Sequence, residues 1–489
     1  MPNVDINQIF SIIPNIDASE KALIEKAYNF ALKAHNGQLR KSGKPYFTHV
    51  FQTAKNLADL GMGPVVIAAG FLHDVLEDTN TTEEELKNEF GEEIVLLVKG
   101  VTKLGTIKYK GIERNVENLR KFFVSMTEDL RVLVIKLADR LHNIETLEHV
   151  RLDKQKRIAL ETLEVYAPLA NRLSMGQLKG RLEDAAFKFA YPKEYKEVYK
   201  LLLDKKGVDE KYLIEVKNEL IKKLKEDHIE NSNVDYRQKH LYSLWKKLKK
   251  YDMDIGKIYD ILALRVMVDS IADCYHVLGI IHGAWTPLPH RFKDYIATPK
   301  LNGYRSLHTT IFTGTGGIVE IQIRTYEMHR EAEYGIAAHF AYKENKNINI
   351  QQFEWVQELR KLNDNNINKE KPEIFLKTIK MDFFKDRVFV FTPKGDIIDL
   401  PEDSCVIDFA YAIHTDIGNH TQGARVNGKN VAIHTKLKTN DIVEIQVNKN
   451  TNPSSKWLVY TKTGLARKHI NAYLKSHSLL SKFLSFGKN

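Results

Sequence analysis

Residues 73–78, which read HDVLED, contain the side-chain types that bind divalent metal ions and move protons. Residues four positions apart share a helix face, and the segment has no lysine or arginine to balance its charge. Two imidazoles and two carboxylates could surround one ion, and the predicted ligands are His49, His73, Asp74 and Asp139. This set suits Mn²⁺, Fe²⁺ or Zn²⁺ better than Ca²⁺, and the ion would lower the pKa of a bound water. Glu77 and Asp78, one turn further on, could take and return protons.

A second chemical centre is indicated by a predicted strand at residues 317–324. Glu320, Gln322 and Arg324 share one face of this strand and could form a cleft wall. Asp260, just before another predicted strand, could pair with Glu320 to hold Mg²⁺ together with substrate phosphates. An upstream stretch that we predict to be helical offers cations for a triphosphate, namely Arg237, Lys239 and Lys247. Tyr304, in a basic loop, could stack on a base.

Each of these features also has a structural interpretation. A single histidine on a helix is usually structural, but four candidate ligands that include an adjacent His-Asp pair favour a metal site. Arg40 and Lys41 alone fit a solvated turn, and Lys246–Lys250 a solvated helix face. Tyr304 after a glycine is more often a packing residue. The spacing of the second centre alone therefore favours structural roles.

Length and composition indicate a folded protein of several domains. The 489 residues are 43% apolar and 28% charged, and no apolar run is long enough to span a membrane. The first residues lack the pattern of a signal peptide, so we expect a cytoplasmic protein. Cys274 and Cys405 predict neither a disulfide framework nor a zinc site. The net charge of +10 favours anionic partners such as nucleotides, RNA or ribosomes.

The apolar periodicity divides the chain into regions of different type. Residues 19–172 are predicted to be helical, and so is the lysine-rich stretch 205–250. Strands at 261–268 and 317–324, with a helix at 273–283, predict an α+β region. Residues 345–371 are predicted to be a connection, 386–447 a small β-rich unit with turn signals, and 464–486 a basic helix.

The first centre resembles the HD phosphohydrolase superfamily. Residues 40–46 (RKSGKPY), 73–79 (HDVLEDT) and 137–143 (LADRLHN) are most similar to the alarmone hydrolase domain of long RelA/SpoT homologues. The resemblance implies that the two histidines and two aspartates hold Mn²⁺ while Glu77 and Asp78 assist the attack of water. The implied substrate, guanosine tetra- or pentaphosphate, loses its 3′-pyrophosphate. The implied substrate contacts are Arg40, Lys41, Ser42 and, on the ribose side, Asn143.

The second centre is similar to the synthetase domain of the same family, in residues 292–309, 320–325 and 332–339. This implies the transfer of pyrophosphate from ATP to the 3′-hydroxyl of GDP or GTP. Asp260 and Glu320 would hold Mg²⁺, with Glu320 also activating the hydroxyl. The implied contacts are Arg237, Lys239 and Lys247 for ATP, and Lys293, Asn302, Tyr304 and His308 for the guanine nucleotide. The Arg291-x-Lys-Asp sequence resembles bifunctional members, whereas Tyr236 replaces the glycine usual before Arg237.

Residues 387–395, 410–418 and 423–428 resemble a TGS domain, a ubiquitin-like β-grasp module. The resemblance implies a regulatory role through the ribosome and uncharged tRNA. His414 is a candidate contact to the tRNA acceptor end, and the alternative is a turn histidine. Long family members continue into further domains, so the chain is either a short member or a shortened one.

We therefore predict a multidomain protein with an all-α HD-type hydrolase domain, an α+β nucleotidyltransferase-like synthetase domain and a β-grasp TGS domain. The predicted limits are hydrolase 1–170, helical linker 171–204, synthetase 205–344, connection 345–383, TGS domain 384–448 and a C-terminal helical region 449–489. The predicted function is synthesis and hydrolysis of (p)ppGpp, with the two sites coupled through helices 171–199. The alternatives are a hydrolase with a regulatory pseudo-synthetase, and a ribosome- or tRNA-binding regulator.

Overall fold

The computed structural model describes residues 4–13, 16–105, 129–300, 302–314, 316–338, 387–439 and 441–486. They belong to two compact units, whose described parts are residues 4–338 with the stated gaps and residues 387–486. The predicted connection at 345–371 lies outside the described residues. No helix in the described part of the chain is long and apolar enough to cross a membrane.

The described residues of the N-terminal part of the first unit are mainly helical, which confirms the prediction from apolar spacing for these residues. Residues 106–128 of the predicted helical region lie outside the described residues. Helix α4 is buried along nearly its whole length and contacts both α2 and α3, while α7 packs against α3 and α6. A π-helical turn, Thr162–Tyr166, joins the last two helices. The helices are α1 (Asn7–Phe10), α2 (Ala18–Ala34), α3 (Phe47–Asp59), α4 (Pro64–Leu72), α5 (Val75–Asp78), α6 (Glu83–Gly105), α7 (Leu130–Glu145), α8 (Leu152–Glu161) and α9 (Ala167–Arg172).

Two further helices, α10 (Gly176–Ala190) and α11 (Pro192–Glu226), lead into a mixed sheet. The prediction of one helical stretch over 205–250 is wrong in its middle, because residues 233–238 form an edge strand, β1. This strand pairs antiparallel with the strand β2 (Leu262–Val268), and only residues 241–250 return to a helix, α12. Arg237 therefore lies on a strand, Lys239 in the following loop and Lys247 on a helix, rather than along one helical stretch.

The sheet has the order β1-β2-β5-β4-β3, and only β2 and β5 pair in parallel. The predicted strands at 261–268 and 317–324 and the helix at 273–283 are confirmed. One sheet face packs against α11 and α13, and the opposite face carries the polar residues considered below. The remaining elements of the unit are β1 (Asn233–Gln238), α12 (Leu241–Lys250), β2 (Leu262–Val268), α13 (Ile271–Ala284), β3 (Lys293–Asp294), β4 (Leu307–Phe312), β5 (Ile318–Thr325) and α14 (Tyr326–Tyr334).

The second unit is a small β-rich domain followed by helices. Asn427 and Gly428, with φ of 50° and 81°, form a tight turn between the strands β8 (Thr421–Val426) and β9 (Lys429–Val431), at one of the turn signals of the predicted β-rich unit. The buried Asp408 accepts hydrogen bonds from the main chain of Lys462 and Thr463, which fixes the last helix to the domain. The elements are β6 (Arg387–Phe391), β7 (Ile397–Pro401), α15 (Val406–Ile413), α16 (Thr415–Asn419), β8 (Thr421–Val426), β9 (Lys429–Val431), β10 (Val443–Val447), α17 (Trp457–Tyr460) and α18 (Gly464–Phe486).

Candidate functional site

The four predicted metal ligands meet in the interior of the helical bundle. His49 lies on α3, His73 directly after α4, Asp74 directly before α5 and Asp139 on α7. His49 Nε2 lies 3.4 Å from Asp74 Oδ2 and 3.3 Å from Asp139 Oδ1. His73 Nε2 lies 3.1 Å from Asp74 Oδ2 and 3.9 Å from Asp139 Oδ1. When several ligand atoms each lie about 2.0–2.2 Å from one ion, their distances from one another are close to the separations observed in this cluster.

The hydrogen bonding of His73 fits a metal ligand. Its Nδ1 lies 2.7 Å from the main-chain oxygen of Gly70, an acceptor, so Nδ1 carries the proton of that bond. Nε2 is buried and makes no hydrogen bond of normal geometry within the described part of the chain, although it faces the carboxylates of Asp74 and Asp139. The ligand atoms of His49, His73 and Asp74 all lie within 4.8 Å of one another. These residues form a possible site for a divalent metal ion.

A partly buried lysine, which the sequence analysis did not include, balances part of the charge of the cluster. Lys136 Nζ lies 2.7 Å from Asp139 Oδ2, and the two residues are three positions apart on α7. Burial alone would raise the pKa of Asp139, but Lys136 and the two histidines hold it well below its usual range. Asp139 is therefore a carboxylate at neutral pH, with Oδ1 directed towards His49.

The predicted proton-transfer residues lie at the open side of the cluster. The helix is interrupted at His73 and Asp74. Residues 73–78 therefore do not form the continuous helix on which residues four positions apart were expected to share a face. The Tyr46 hydroxyl nevertheless lies 2.7 Å from both Asp74 Oδ2 and Asp78 Oδ2 and can donate to either. Glu77 is exposed, but the protein atoms around its carboxyl group displace some of the water, and this partial desolvation, together with the nearby Asp74, raises its pKa. A raised pKa suits a group that must exchange protons with water.

Two of the four predicted hydrolase substrate contacts reach the cluster. Arg40 NH2 donates to Asn143 Oδ1 at 2.7 Å, and Asn143 Nδ2 donates to Asp139 Oδ1 at 2.5 Å. Lys41 and Ser42 lie on a tight turn, where Ser42 Oγ accepts a hydrogen bond from the main chain of the same turn. The role of all four in binding a nucleotide stays a prediction.

The second predicted centre is a cavity of 270 Å³ on the polar face of the sheet. It contains both predicted Mg²⁺ ligands, all three predicted ATP contacts and three of the four predicted guanine-nucleotide contacts. Its lining is Arg237, Lys239, Lys247, Tyr259, Asp260, Arg291, Lys293, Tyr295, Lys300, Tyr304, His308, Thr310, Glu320 and Gln322. The cationic lining suits a polyphosphate.

In this cavity the two acidic residues have different surroundings. Asp260 Oδ2 lies 2.6 Å from Lys239 Nζ, and Oδ1 lies 2.7 Å from Lys247 Nζ. Burial alone would raise the pKa of Asp260, but the two lysines hold it well below its usual range. Glu320 Oε1 accepts a hydrogen bond from Gln322 at 2.8 Å. The oxygen donors fit Mg²⁺, provided that substrate phosphates draw a lysine away from Asp260.

The predicted base-stacking residue is held in place by its neighbours. The Tyr304 hydroxyl lies 2.8 Å from His308 Nε2, and burial lowers the pKa of His308 well below its usual range. Asn302 does not line the cavity, and its side-chain oxygen lies 3.3 Å from the Tyr304 amide nitrogen. Lys300 also lines the cavity and was missed by the sequence analysis, although it lies within residues 292–309, which resemble the synthetase domain. Burial and nearby cations lower the pKa of Lys300 to about 8.

Two further features named from the sequence lie away from the clusters. Tyr236, which replaces a family glycine, is 41% exposed, and Lys217 of α11 lies over its ring, so its side chain does not line the cavity. His414 is exposed and its Nδ1 accepts from the Asp416 amide at 3.2 Å, which caps α16. This contact is that of a turn histidine, and a contact to tRNA stays a prediction.

Comparison with known proteins agrees with this arrangement of domains. Three family profiles match in order: the HD domain over residues 27–176, the region found in RelA/SpoT proteins over 236–347 and the TGS domain over 388–447. The chain is 45% identical over 466 residues to a guanosine-3′,5′-bis(diphosphate) 3′-pyrophosphohydrolase of Aquifex aeolicus, covering 95% of this chain and 66% of the relative. It is 44% identical over 481 residues to a GTP pyrophosphokinase of Streptomyces coelicolor, covering 94% of this chain and 56% of the relative.

The fold and the comparisons define a multidomain protein in which an HD-type helical domain with a possible metal site precedes a mixed-sheet domain with a cation-lined cavity. The domain order and the identity over nearly the whole chain show that it belongs to the RelA/SpoT family. The chain spans 56% to 66% of the length of the two relatives compared above.

Proposed function

We propose that the chain is a bifunctional cytoplasmic enzyme that makes and degrades (p)ppGpp. One site would hydrolyse (p)ppGpp to GDP or GTP and pyrophosphate, with Mn²⁺ as its metal. The other would transfer the pyrophosphoryl group of ATP to the 3′-hydroxyl of GDP or GTP, with Mg²⁺ as its metal. The observation that carries the proposal is that a two-His, two-Asp cluster and a cation-lined cavity with two carboxylates occur in one compact unit.

In the proposed hydrolase site, the protein orients the ligands and handles protons. His49, His73, Asp74 and Asp139 would hold Mn²⁺, which when bound supplies a more acidic water molecule. The Tyr46 hydroxyl lies between Asp74 and Asp78 and can donate its proton to either carboxylate. The exposed Glu77, with its raised pKa, would accept a proton from the attacking water. It would return this proton to the 3′-oxygen of GDP or GTP as the bond from that oxygen to the pyrophosphoryl group breaks. The nearby Arg40 suits the polyphosphate charge.

In the proposed synthetase site, the cations bind and align the two nucleotides. Arg237, Lys239 and Lys247 would face the ATP triphosphate, while Tyr304 supports the guanine nucleotide. Asp260 and Glu320 would hold Mg²⁺, which when bound neutralises phosphate charge. Glu320 would also take the proton of the 3′-hydroxyl as that oxygen attacks the β-phosphorus of ATP and AMP leaves. The pyrophosphoryl group thus moves from ATP to the 3′-oxygen of the ribose, and the oxygen of the broken bond leaves with AMP.

The test is a product assay of the full chain in both directions, with Mn²⁺ and Mg²⁺ varied independently. Asp139→Ala should abolish Mn²⁺-dependent pyrophosphate release and keep synthesis, whereas Glu320→Gln should do the reverse. Loss of one general acid-base or metal-binding group typically lowers a rate by about 10²- to 10⁴-fold. Asp153→Ala and Glu327→Gln, at exposed residues outside both clusters, are the matched controls.

The outcomes separate the alternatives. If the unaltered chain forms no guanosine tetraphosphate under any condition, the bifunctional proposal is wrong, and the alternative of a hydrolase with a regulatory pseudo-synthetase is supported. If pyrophosphate release survives in Asp139→Ala, the proposed metal site is wrong. If neither reaction occurs, the regulator hypothesis remains, in which the TGS domain contacts the ribosome and uncharged tRNA. Binding of uncharged tRNA by the chain, compared with a His414→Ala variant, tests that partner directly.

A further inference from the structure

His142 contacts a proposed metal ligand without being one. Its Nδ1 lies 2.7 Å from Nδ1 of His49 and 3.0 Å from NH1 of Arg40. The planes of the two imidazole rings are within 25° of each other, as expected for a hydrogen bond between ring edges. His142 is three residues after Asp139 on α7, so it approaches the cluster from the same helix.

The direction of the hydrogen bonds follows from the chemistry of the guanidinium group. Arg40 can only donate, so Nδ1 of His142 must be an acceptor and carries no proton. The second atom facing that nitrogen, Nδ1 of His49, must therefore be the donor. A neutral His49 with its proton on Nδ1 has a free lone pair on Nε2, the atom that faces Asp74 and Asp139. This is the tautomer that a metal ligand requires.

A second branch starts from the same guanidinium group. Arg40 NH2 donates to Asn143 Oδ1 at 2.7 Å, which leaves the amide nitrogen of Asn143 to donate to Asp139 Oδ1 at 2.5 Å. Arg40 thus determines the polarity of two hydrogen bonds, each of which ends on a proposed metal ligand. Groups behind a metal ligand fix its orientation and tautomer, and their loss typically lowers metal affinity about 10- to 100-fold.

We propose that His142 is a positioning residue of the metal centre, which holds His49 in its metal-binding tautomer, and that Arg40 keeps His142 in the accepting form. This inference rests on the proposed hydrolase function, because it assumes that the cluster binds a divalent ion. It assigns Arg40 a role before any substrate is present. Its test therefore measures metal binding rather than turnover.

The experiment is a calorimetric titration of the metal-free full chain with Mn²⁺ in the absence of nucleotide. His142→Phe keeps a ring and removes the acceptor, so Mn²⁺ affinity should fall about 10- to 100-fold. His142→Asn places an oxygen acceptor at the same number of bonds from the main chain and should stay within about threefold of the unaltered chain, by the same reasoning. His149→Phe and His149→Asn, at an exposed histidine following the same helix, are the matched controls.

A second pair of variants tests Arg40. Arg40→Met removes the donor and should weaken Mn²⁺ binding, whereas Lys44→Met, at an exposed residue of the turn that follows Arg40, should not. Equal Mn²⁺ affinity of His142→Phe and the unaltered chain would overturn the proposal, as would equal loss in His142→Phe and His142→Asn. An Arg40→Met variant with unaltered affinity would also overturn it. If the unaltered chain binds no Mn²⁺, the proposed function itself fails, which is a different result.

Discussion

The hydroxyl group of Ser174 donates a hydrogen bond to the main-chain carbonyl oxygen of Asn302. Ser174 directly follows the helical domain, and Asn302 belongs to the segment that supports Tyr304 in the second cavity. The neighbouring Leu173 carbonyl oxygen also accepts from the Ile336 amide at 3.0 Å. These two hydrogen bonds join the loop between α9 and α10 to the sheet domain. A displacement of the helical domain can therefore be transmitted to the sheet domain through them.

This connection predicts that Ser174→Ala weakens communication between the two proposed sites. Binding linkage is reciprocal, so an analogue in the hydrolase site should change guanine-nucleotide affinity at the second cavity. One hydrogen bond contributes about 0.5–1.5 kcal/mol, so its removal should reduce the effect of the analogue on guanine-nucleotide affinity about 2- to 10-fold. Nucleotide titrations with and without the analogue measure it.

Ser232→Ala is the matched control for this prediction. The Ser232 hydroxyl also donates to a main-chain oxygen, that of Ile229 at 3.1 Å, but within one local turn. Unchanged coupling in Ser174→Ala, or the same loss in both variants, would contradict the role given to this hydrogen bond.

Tyr46→Phe should weaken the metal centre without disturbing the fold. The hydroxyl lies 2.7 Å from Oδ2 of both Asp74 and Asp78, and its removal takes away the donor that these two carboxylates share. We expect Mn²⁺ affinity to fall by about tenfold, since such supporting contacts orient metal ligands. Tyr28→Phe is the control, because the Tyr28 hydroxyl donates to the Val4 carbonyl oxygen at 3.1 Å instead. A tyrosine that only fills space would give equal Mn²⁺ affinities in the two variants.

Much of the first site could be predicted because its residue types are unusual at their spacing. The adjacent His-Asp pair, the LADRLHN segment and the histidine of residues 45–49 (PYFTH) located the four proposed ligands. Lys136 was missed, although its position three residues before Asp139 on a helix was a usable signal. The contact of His142 with Arg40 joins residues far apart in sequence, and no local pattern specifies it.

The strand β1 could not be derived from local propensity. Its neighbours are rich in lysine and have helical spacing, so the sequence around residues 233–238 resembles the adjoining helices. What makes it a strand is antiparallel pairing with β2, in which Asp235 lies opposite Arg265. That pairing, and an ion pair of 3.1 Å between these two residues, depends on the edge of a sheet formed later in the chain. Tertiary contacts therefore override the local pattern.

Metal binding should depend on pH through His73. Burial alone would lower the pKa of His73, but Asp74 and Asp139 raise it to about 9. An ion must displace this proton, so Mn²⁺ affinity should rise with pH, by up to about tenfold per unit, and level off near pH 9. Competition with a chelating dye between pH 6.5 and 9 measures this, and a flat profile would contradict it.

The same shift affects the stability of the metal-free chain. Because the pKa of the folded state lies above the ordinary value of 6.5, the contribution of His73 is fully present below pH 6.5 and is lost as pH rises through about 9. Thermal unfolding in the presence of a chelator should show this loss. Saturating Mn²⁺ should reduce it, because the ion takes the place of the proton.

Lys247→Met should have opposite effects on the affinities of the second cavity for Mg²⁺ and for ATP. Lys247 Nζ occupies Asp260 Oδ1 at 2.7 Å, so its removal frees an oxygen for Mg²⁺ and should strengthen nucleotide-free Mg²⁺ binding. ATP affinity should instead fall by about tenfold, because one phosphate-facing cation is lost. Lys249→Met is the control, since Lys249 lies over the Trp245 ring and outside the cavity. Calorimetric titrations with Mg²⁺ and with ATP separate the two effects. A parallel decrease in both affinities would mean that Lys247 supports Asp260 as an ion ligand rather than competing for its oxygen.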